Sequence, residues 1–310
     1  MEENGNLTKV ISSFIIIGFP SSRPIQKLFF CIFIFIYILT IVENILVILI
    51  IWNSRSLHKP MYFFLGNLSF LEVWYVTVTV PKLLSIFLTG NRQITFIACM
   101  TQLFFFLLLA CTECALLTVM AFDRYVAICI PLRYVTIMNW RFCFVLSGYT
   151  WIVGFMISII KIYFISQLTF CQSNLINHFY CDVSPLLNLA CTDMKQTETV
   201  DFILALIILL VPLLLTCFSY ICILITIFKI PQSSGRKKTF STCTSHLVVV
   251  VILYSSTLFM YARPSKAQSV NSNKLVSVVY TVVTPFLNPI IYCLRNKQVK
   301  AAVLKLLFRN

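Results

Sequence analysis

The chain reads as an all-α membrane protein, a bundle of seven spanning helices, and three observations carry that reading. Of its 310 residues 59% are hydrophobic and only 11% charged, where soluble globular proteins run at about 45–50% apolar and about 25% charged. Seven apolar runs follow one another with short polar segments between them. The 24 Lys and Arg, against 10 Asp and Glu, fall unevenly on the two sides that seven crossings define. At roughly 20 residues per crossing, runs and connections use up the length, so no separate soluble catalytic domain is expected.

The opening Met1–Val10 is acidic and polar. It lacks the basic flank and apolar core of a cleaved signal peptide, so the first helix is expected to act as an uncleaved anchor. Asn6-Leu7-Thr8 is a glycosylation sequon on the expected outer side. The first run, Phe29–Ile51, carries Glu43 and Asn44; the second, Met61–Val80, carries Glu72 and a second sequon-like string at Asn67 inside the helix. The third, Phe96–Phe122, carries Glu113 and ends at Asp123-Arg124. The last four, Phe142–Ile160, Phe202–Phe228, Leu247–Ala262 and Leu275–Leu294, contain no Asp, Glu, Lys or Arg. The expected division is an outer segment at 1–24, the bundle at 25–295 with a long outer loop at about 163–200, and an inner tail at 296–310. In that tail Val299, Val303, Leu304 and Leu307 alternate with Lys297, Lys300 and Lys305, a short amphipathic helix for the inner membrane surface.

With the amino terminus outside, fourteen Lys and Arg fall on the cytoplasmic side against one acid, Asp123, and ten fall outside against six acids. Basic residues are retained on the cytoplasmic side, so the excess of +14 is a topology signal and an inner-leaflet contact, not a nucleic-acid footprint. A plasma-membrane, multi-pass protein follows.

Most of the thirteen cysteines lie in the runs and act as small apolar residues. Cys99, Cys171, Cys181 and Cys191 instead face the outer, oxidising side, where disulfides persist. Four cysteines allow three pairings; the favoured one joins Cys99 to Cys181 and Cys171 to Cys191 and folds the loop over the bundle as a lid. His178 and Asp182 would make a soft-metal site only if Cys181 were free, and the disulfide is preferred.

An ionisable side chain inside a span is costly and points to function. At ~1.5 Å per helical residue, Glu72 and Glu113 stand about 18 and about 16 Å above the inner face, with Asn44 and Asn288 about 10 to 14 Å up. One polar layer across helices one, two, three and seven is expected. Two carboxylates at one depth repel unless they share a proton or enclose a cation, so the layer either holds a sodium ion with water or keeps one glutamate protonated until the bundle rearranges. The rival is a static hydrogen-bonded glue between helices. Glu43 is expected to face the same layer.

At the inner end of the third helix stands Met120–Cys129 (MAFDRYVAIC), and four further stretches follow the same order along the chain: Leu57–Leu65 (LHKPMYFFL), Ser219-Tyr220, Lys238–Leu247 (KTFSTCTSHL) and Pro285–Tyr292 (PFLNPIIY). Together they resemble the olfactory receptors over most of the chain. The resemblance implies a rhodopsin-like receptor for a small, mostly neutral volatile odorant, coupled to a stimulatory, olfactory-type heterotrimeric G protein that raises cyclic AMP. Membrane lipids and a trafficking accessory protein are further partners it suggests. It assigns the coupling switch to Asp123, Arg124, Tyr125, Tyr220, His246, Asn288, Pro289 and Tyr292. In physical terms Asp123 neutralises the Arg124 guanidinium while the bundle is closed, and its release frees a donor-rich contact for a partner.

Leu103, Phe106, Leu107, Ala110 and Cys114 share one face of the third helix by their spacing. To these the resemblance adds Cys111, Leu204, Ala205, Ile208, Tyr254, Thr257, Tyr261, Val278 and Thr281, an apolar lining with a few hydroxyls. The outer half of the third helix has no acid, which makes a cationic amine a poor ligand. The sixth helix has no proline and the tail after Arg295 no Ser or Thr, so a proline hinge and tail phosphorylation are not expected. A channel or transporter is the rival from another class, but no paired repeat with broken helices is seen. No His-Glu-x-x-His or Gly-x-Ser-x-Gly occurs and the three histidines lie far apart, so no enzyme is read.

Overall fold

The computed structural model describes residues 12–171, 173–229, 233–261, 270–295, 298–299 and 301–302. Asn6, the Tyr261 side chain and most of the tail lie outside them. Seven long helices carry the architecture: α1 Arg23–Asn53, α2 Pro60–Thr89, α3 Phe96–Cys129, α4 Trp140–Ser166, α5 Lys195–Phe228, α6 Ser233–Tyr261 and α7 over 270–295, the last interrupted by a π-helical segment at Val279–Val283. Six are long and apolar enough to cross a membrane, and α6 carries a shorter apolar stretch, Cys243–Phe259. Each expected run falls within one helix, Ala262 lying outside the described residues.

The helix ends have local causes. Prolines stand in the first turns of α1 and α2, where the missing N–H is no loss. The Thr95 hydroxyl accepts from the Ala98 N–H at 3.2 Å to start α3, and the Asn139 carbonyl from the Phe142 N–H at 2.9 Å to start α4, as N-caps do. Gly90, at φ 75°, ends α2 in the left-handed conformation that suits glycine. Prolines inside α2, α5 and α7 are positioned to bend them. Large apolar side chains such as Phe35, Phe144, Phe202 and Phe218 point outward and are exposed, a lipid-facing belt in which apolar exposure costs nothing. Inside, α3 and α4 touch at Gly154, where a Cβ would lie 2.3 Å from the Thr112 Oγ1.

Two features depart from the sequence reading. The segment before α1 holds a strand, β1 Ser13–Ile16, which pairs antiparallel with β2 Gln93–Thr95 and parallel with β3 Leu175–Ile176. Its alternate residues Phe14 and Ile16 are fully buried, so this part of the outer segment is stitched into the lid. The outer loop is also shorter than expected. Helix α4 runs on to Ser166 and α5 begins at Lys195, leaving 167–194 rather than about 163–200. The extra turns bring Lys161 and Asp201, expected outside, into the bundle. In the tail, 298–299 and 301–302 are helical; Val299 and Ala302 are buried against the inner core, and Lys59 and Tyr62 donate to Gln298 Oε1.

Candidate functional site

The lid is built first by covalent bonds. Cys99 is joined to Cys181 and Cys171 to Cys191, the favoured pairing, so Cys181 is not free for a metal. Among the described residues no cluster of His, Cys, Asp and Glu suits a metal ion. Polar contacts then seal the loop to the helices: the Cys181 N–H donates to the Gln102 side chain at 3.0 Å, Lys274 Nζ to the Gly18 carbonyl at 2.7 Å, and Tyr180 and Tyr280 join hydroxyls. His178 faces the Tyr180 N–H through Nδ1, so its Nε2 carries the proton and donates to the Ser277 hydroxyl at 3.1 Å. Burial, with the Lys274 charge beside it, pushes the His178 imidazole down to about 3. Burial pushes the Asp182 carboxyl up to about 6, against the lowering pull of the Val183 N–H it accepts from.

Beneath the lid lies a cavity of about 60 Å³ between α2, α3, α4, α5, α6 and α7. Phe106, Leu107, Ala110, Cys111 and Cys114 line it from α3, Ala205 and Ile208 from α5, and Thr257 from α6, all among the expected positions. Others of that set do not line it. Leu103 is fully buried in the upper core, with Val278 packed against that core, and Leu204 and Tyr254 belong to the lower core. The Thr281 hydroxyl is turned to the Ser277 carbonyl at 2.6 Å. Their places are taken by Tyr75, Leu209, Leu253 and Tyr280, and by two ionisable residues that the expected lining did not include, Lys161 and Glu113. Lys161 is buried and its Nζ donates to Asp201 Oδ1 at 2.7 Å. The sequence signal was the Lys161 and Asp201 pair, one residue beyond the runs that end at Ile160 and begin at Phe202.

Deeper, Asn288 Nδ2 donates to Glu72 Oε1, and Asn44 Nδ2 to the Thr40 and Pro285 carbonyls at 2.9 and 3.3 Å. The expected layer therefore ties α1 and α2 to α7. Among the described residues Glu113 of α3 makes no such bond. Its side chain sits at the cavity wall. Asn44 Oδ1, Glu72 Oε2, Glu113 Oε1 and Glu43 Oε1 are buried without a hydrogen-bond partner among the described residues.

At the inner end Arg124 pairs with its neighbour Asp123, whose other oxygen accepts from the Tyr134 hydroxyl at 2.8 Å. Burial and the Asp123 charge push the Tyr134 phenol above its usual range. Tyr220 does not reach Arg124. Its hydroxyl meets His246 Nδ1 at 2.7 Å, and His246 Nε2 meets the Leu117 carbonyl at 3.0 Å. The buried Tyr292 hydroxyl is unpartnered among the described residues. Tyr125 packs beside Ala121, Tyr220 and Ile223, and Pro289 lies within α7. This is a closed arrangement: the arginine is neutralised and the tyrosines that could meet it are held elsewhere or unused.

An interior cavity capped from outside, and an arginine locked at the opposite face of the same seven helices, define a receptor that carries a signal across the membrane. Comparison with known proteins gives its family. The olfactory receptor family model matches residues 33–310. The chain is 58% identical over 303 residues to olfactory receptor 6B1 of Homo sapiens, covering 98% of this chain and 96% of the relative. It is 55% identical to olfactory receptor 6B9 of Mus musculus, covering 97% and 95%, and 52% identical to olfactory receptor 226 of Rattus norvegicus, covering 97% and 93%. The chain belongs to the olfactory receptor family. It is an odorant receptor of the plasma membrane, crossing it several times with its amino terminus outside.

Proposed function

We propose that the odorant is held in the cavity beneath the lid and that Lys161 is its polar anchor. The observation that supports this is the lining itself: apolar side chains on most walls and one buried ammonium that gives only part of its donor capacity to Asp201. An ammonium has three donors, so a volatile with a carbonyl, ether or hydroxyl oxygen can accept one while its hydrocarbon part fills the apolar end. The cavity is small against the roughly 300 Å³ of a typical small-molecule site, so the ligand gains room by moving flexible side chains such as Leu107 and Leu209.

Binding is passed inward through α3 and α6 to Arg124, which then meets a stimulatory, olfactory-type G protein and raises cyclic AMP. A sodium ion fits the polar layer chemically, because Glu72 Oε2 and Asn44 Oδ1 are buried oxygen acceptors without a partner and hard cations take oxygen ligands. A trafficking accessory protein is a further partner of this reading.

The test is cyclic AMP in cells bearing an amino-terminally tagged chain and the olfactory G protein, screened with neutral volatiles. Removing Lys161 alone strands Asp201, and breaking a buried pair costs about 3–5 kcal/mol, so the informative variant is Lys161→Met with Asp201→Asn. Oxygen-bearing ligands should lose at least about tenfold in potency, the worth of about 1.4 kcal/mol. Unchanged potency in a double variant at the cell surface would remove Lys161 from the site.

A further inference from the structure

On the lipid-facing side of the inner half, α1, α2 and α4 leave a groove of about 590 Å³. Ile51 of α1, Phe63, Gly66 and Phe70 of α2 and Trp140 of α4 line it, with Trp52 and His58 at its inner end. From Pro60 to Phe70 the helix climbs about 15 Å at ~1.5 Å per residue, half of a hydrocarbon core of about 30 Å, so the groove is as deep as one leaflet. Its walls are fixed: the Phe63 ring stands edge-on to the Trp140 indole with centroids 6.0 Å apart, and the Ser147 hydroxyl of α4 donates to Asn67 Oδ1 of α2 at 3.0 Å. Gly66 keeps it open. A glycine inside a helix is less favourable than alanine, and neither backbone nor packing demands this one. Its φ is not positive, and a Cβ there would meet only Ile51 Cδ1, at the ordinary contact distance of 3.8 Å.

Cations surround the inner end of the groove. Arg55 lies in the turn between Trp52 and His58, Lys59 follows it, and Arg141 follows Trp140. All three are exposed, and residues 53–60 and 138–142 include no Asp or Glu. Lys59 is engaged by Gln298, whereas among the described residues neither arginine forms an ion pair. We propose that the groove is a binding site for one anionic glycerophospholipid of the inner leaflet, its acyl chain lying along Ile51, Phe63 and Gly66 and its phosphate held by Arg55 and Arg141. The guanidinium fork matches phosphate oxygens, and Trp52 and Trp140 stand at the headgroup level, where an amphipathic ring has one end apolar and one end wet. A sterol would fill the apolar part, but its single hydroxyl leaves both guanidiniums without a counter-charge. General attraction of a basic stretch to the inner leaflet needs neither a groove nor a glycine. The site is independent of where the odorant binds.

The experiment uses the full chain, purified and placed in nanodiscs of palmitoyl-oleoyl phosphatidylcholine with palmitoyl-oleoyl phosphatidylserine, cholesterol or neither added, and reads the lipid retained per receptor by native mass spectrometry. The expected result is one phosphatidylserine per receptor, preferred over phosphatidylcholine at least about tenfold, the order expected of two arginines at a membrane surface. Gly66→Leu fills the groove and leaves every cation in place, and it should lose the retained lipid. Arg55→Gln with Arg141→Gln changes exposed side chains only and should bring the preference below about threefold. A phosphatidylserine carrying a photoactivatable diazirine on its acyl chain should label peptides of α1, α2 and α4 in the parent, a measurement that stands even where Gly66→Leu does not fold. Equal retention of the two phospholipids, displacement of phosphatidylserine by cholesterol, a preference that survives either variant, or label spread evenly over all seven helices would each overturn the proposal.

Discussion

The outer and inner halves of the bundle solve opposite problems with the same helices. In the outer half, polar groups are matched across chain segments far apart in sequence: Lys274 to Gly18, His178 to Ser277, the Cys181 N–H to Gln102, with two disulfides and packed rings from Phe14 to Tyr180. In the inner half, oxygens of Asn44, Glu72, Glu113 and Tyr292 are buried without partners among the described residues. Satisfied polar networks rigidify, whereas each orphan raises the free energy of the closed state. The contrast places the fixed end of the molecule where the ligand enters and the bistable end where the signal leaves. Rearrangement of the inner half has hydrogen bonds to gain, and rearrangement of the lid has them only to lose.

The hardest blow to the comparison is to cut the lid. Cys99–Cys181 closes a sequence separation of 82 and Cys171–Cys191 one of 20, worth about 4.5 and about 3.3 kcal/mol by loop-closure entropy. Cys99→Ser should therefore abolish surface tag signal and ligand response together, and Cys171→Ser should reduce both less. Equal tolerance of both substitutions in flow cytometry would mean the outer half is not held by its cross-links.

At the inner end the expected effects change kind. Arg124→Ala should keep its surface signal and lose ligand-driven cyclic AMP, because the arginine serves coupling and pairs with Asp123 beside it on the same helix. Tyr134→Phe removes the hydroxyl that holds the other Asp123 oxygen. A lost hydrogen bond of about 1 kcal/mol weakens the closed arrangement by about fivefold, so basal cyclic AMP should rise without ligand. A fall in basal signal would show that Tyr134 serves the active arrangement instead.

The difference between the halves also explains what could be read from the sequence. Span number and orientation were legible because lipid demands long apolar helices and cations betray the cytoplasmic side. The disulfide pairs were legible because few cysteines lie outside the spans. The depth of Glu72 and Asn288 followed from helical rise, and the structure bonds them. Which face a residue presents was harder. Leu103 and Val278 have the spacing or family position of lining residues, yet the lid packs on them, and a lid is a tertiary object that periodicity on one helix does not report. Lys161 and Asp201 were counted among the outer-side charges because a lone charge at a run's end reads as its boundary. Each had its partner forty residues away, and pairing is what permits burial. The strand at Ser13–Ile16 was missed for a similar reason: four residues pair only with segments that the disulfides bring to them.

The finest test of the outer half is its response to acid, where two buried groups act against each other. His178 ordinarily titrates near 6.5 and is pushed down to about 3 in the lid, so the folded lid refuses a proton that the open loop would bind. Stability from this group is intact above pH 6.5 and is lost as the pH falls, by about 2 kcal/mol at pH 5. Asp182 runs the other way. Its carboxyl ordinarily titrates near 3.8 and is raised to about 6, so the folded lid holds a proton that the open loop has lost, and acidification from pH 7 to 5 returns about 1 kcal/mol. The parent receptor should accordingly show little change in thermal midpoint between pH 7 and 5 in detergent. The single variants separate the two terms. His178→Asn leaves Asp182 alone and should be stabilised by acid; Asp182→Asn keeps an N-capping side chain, leaves His178 alone, and should be destabilised by it. Midpoints that move in the same direction in both variants would mean that these two groups do not set the acid response of the lid, and that its polar seal is looser than the distances around His178 and Asp182 indicate.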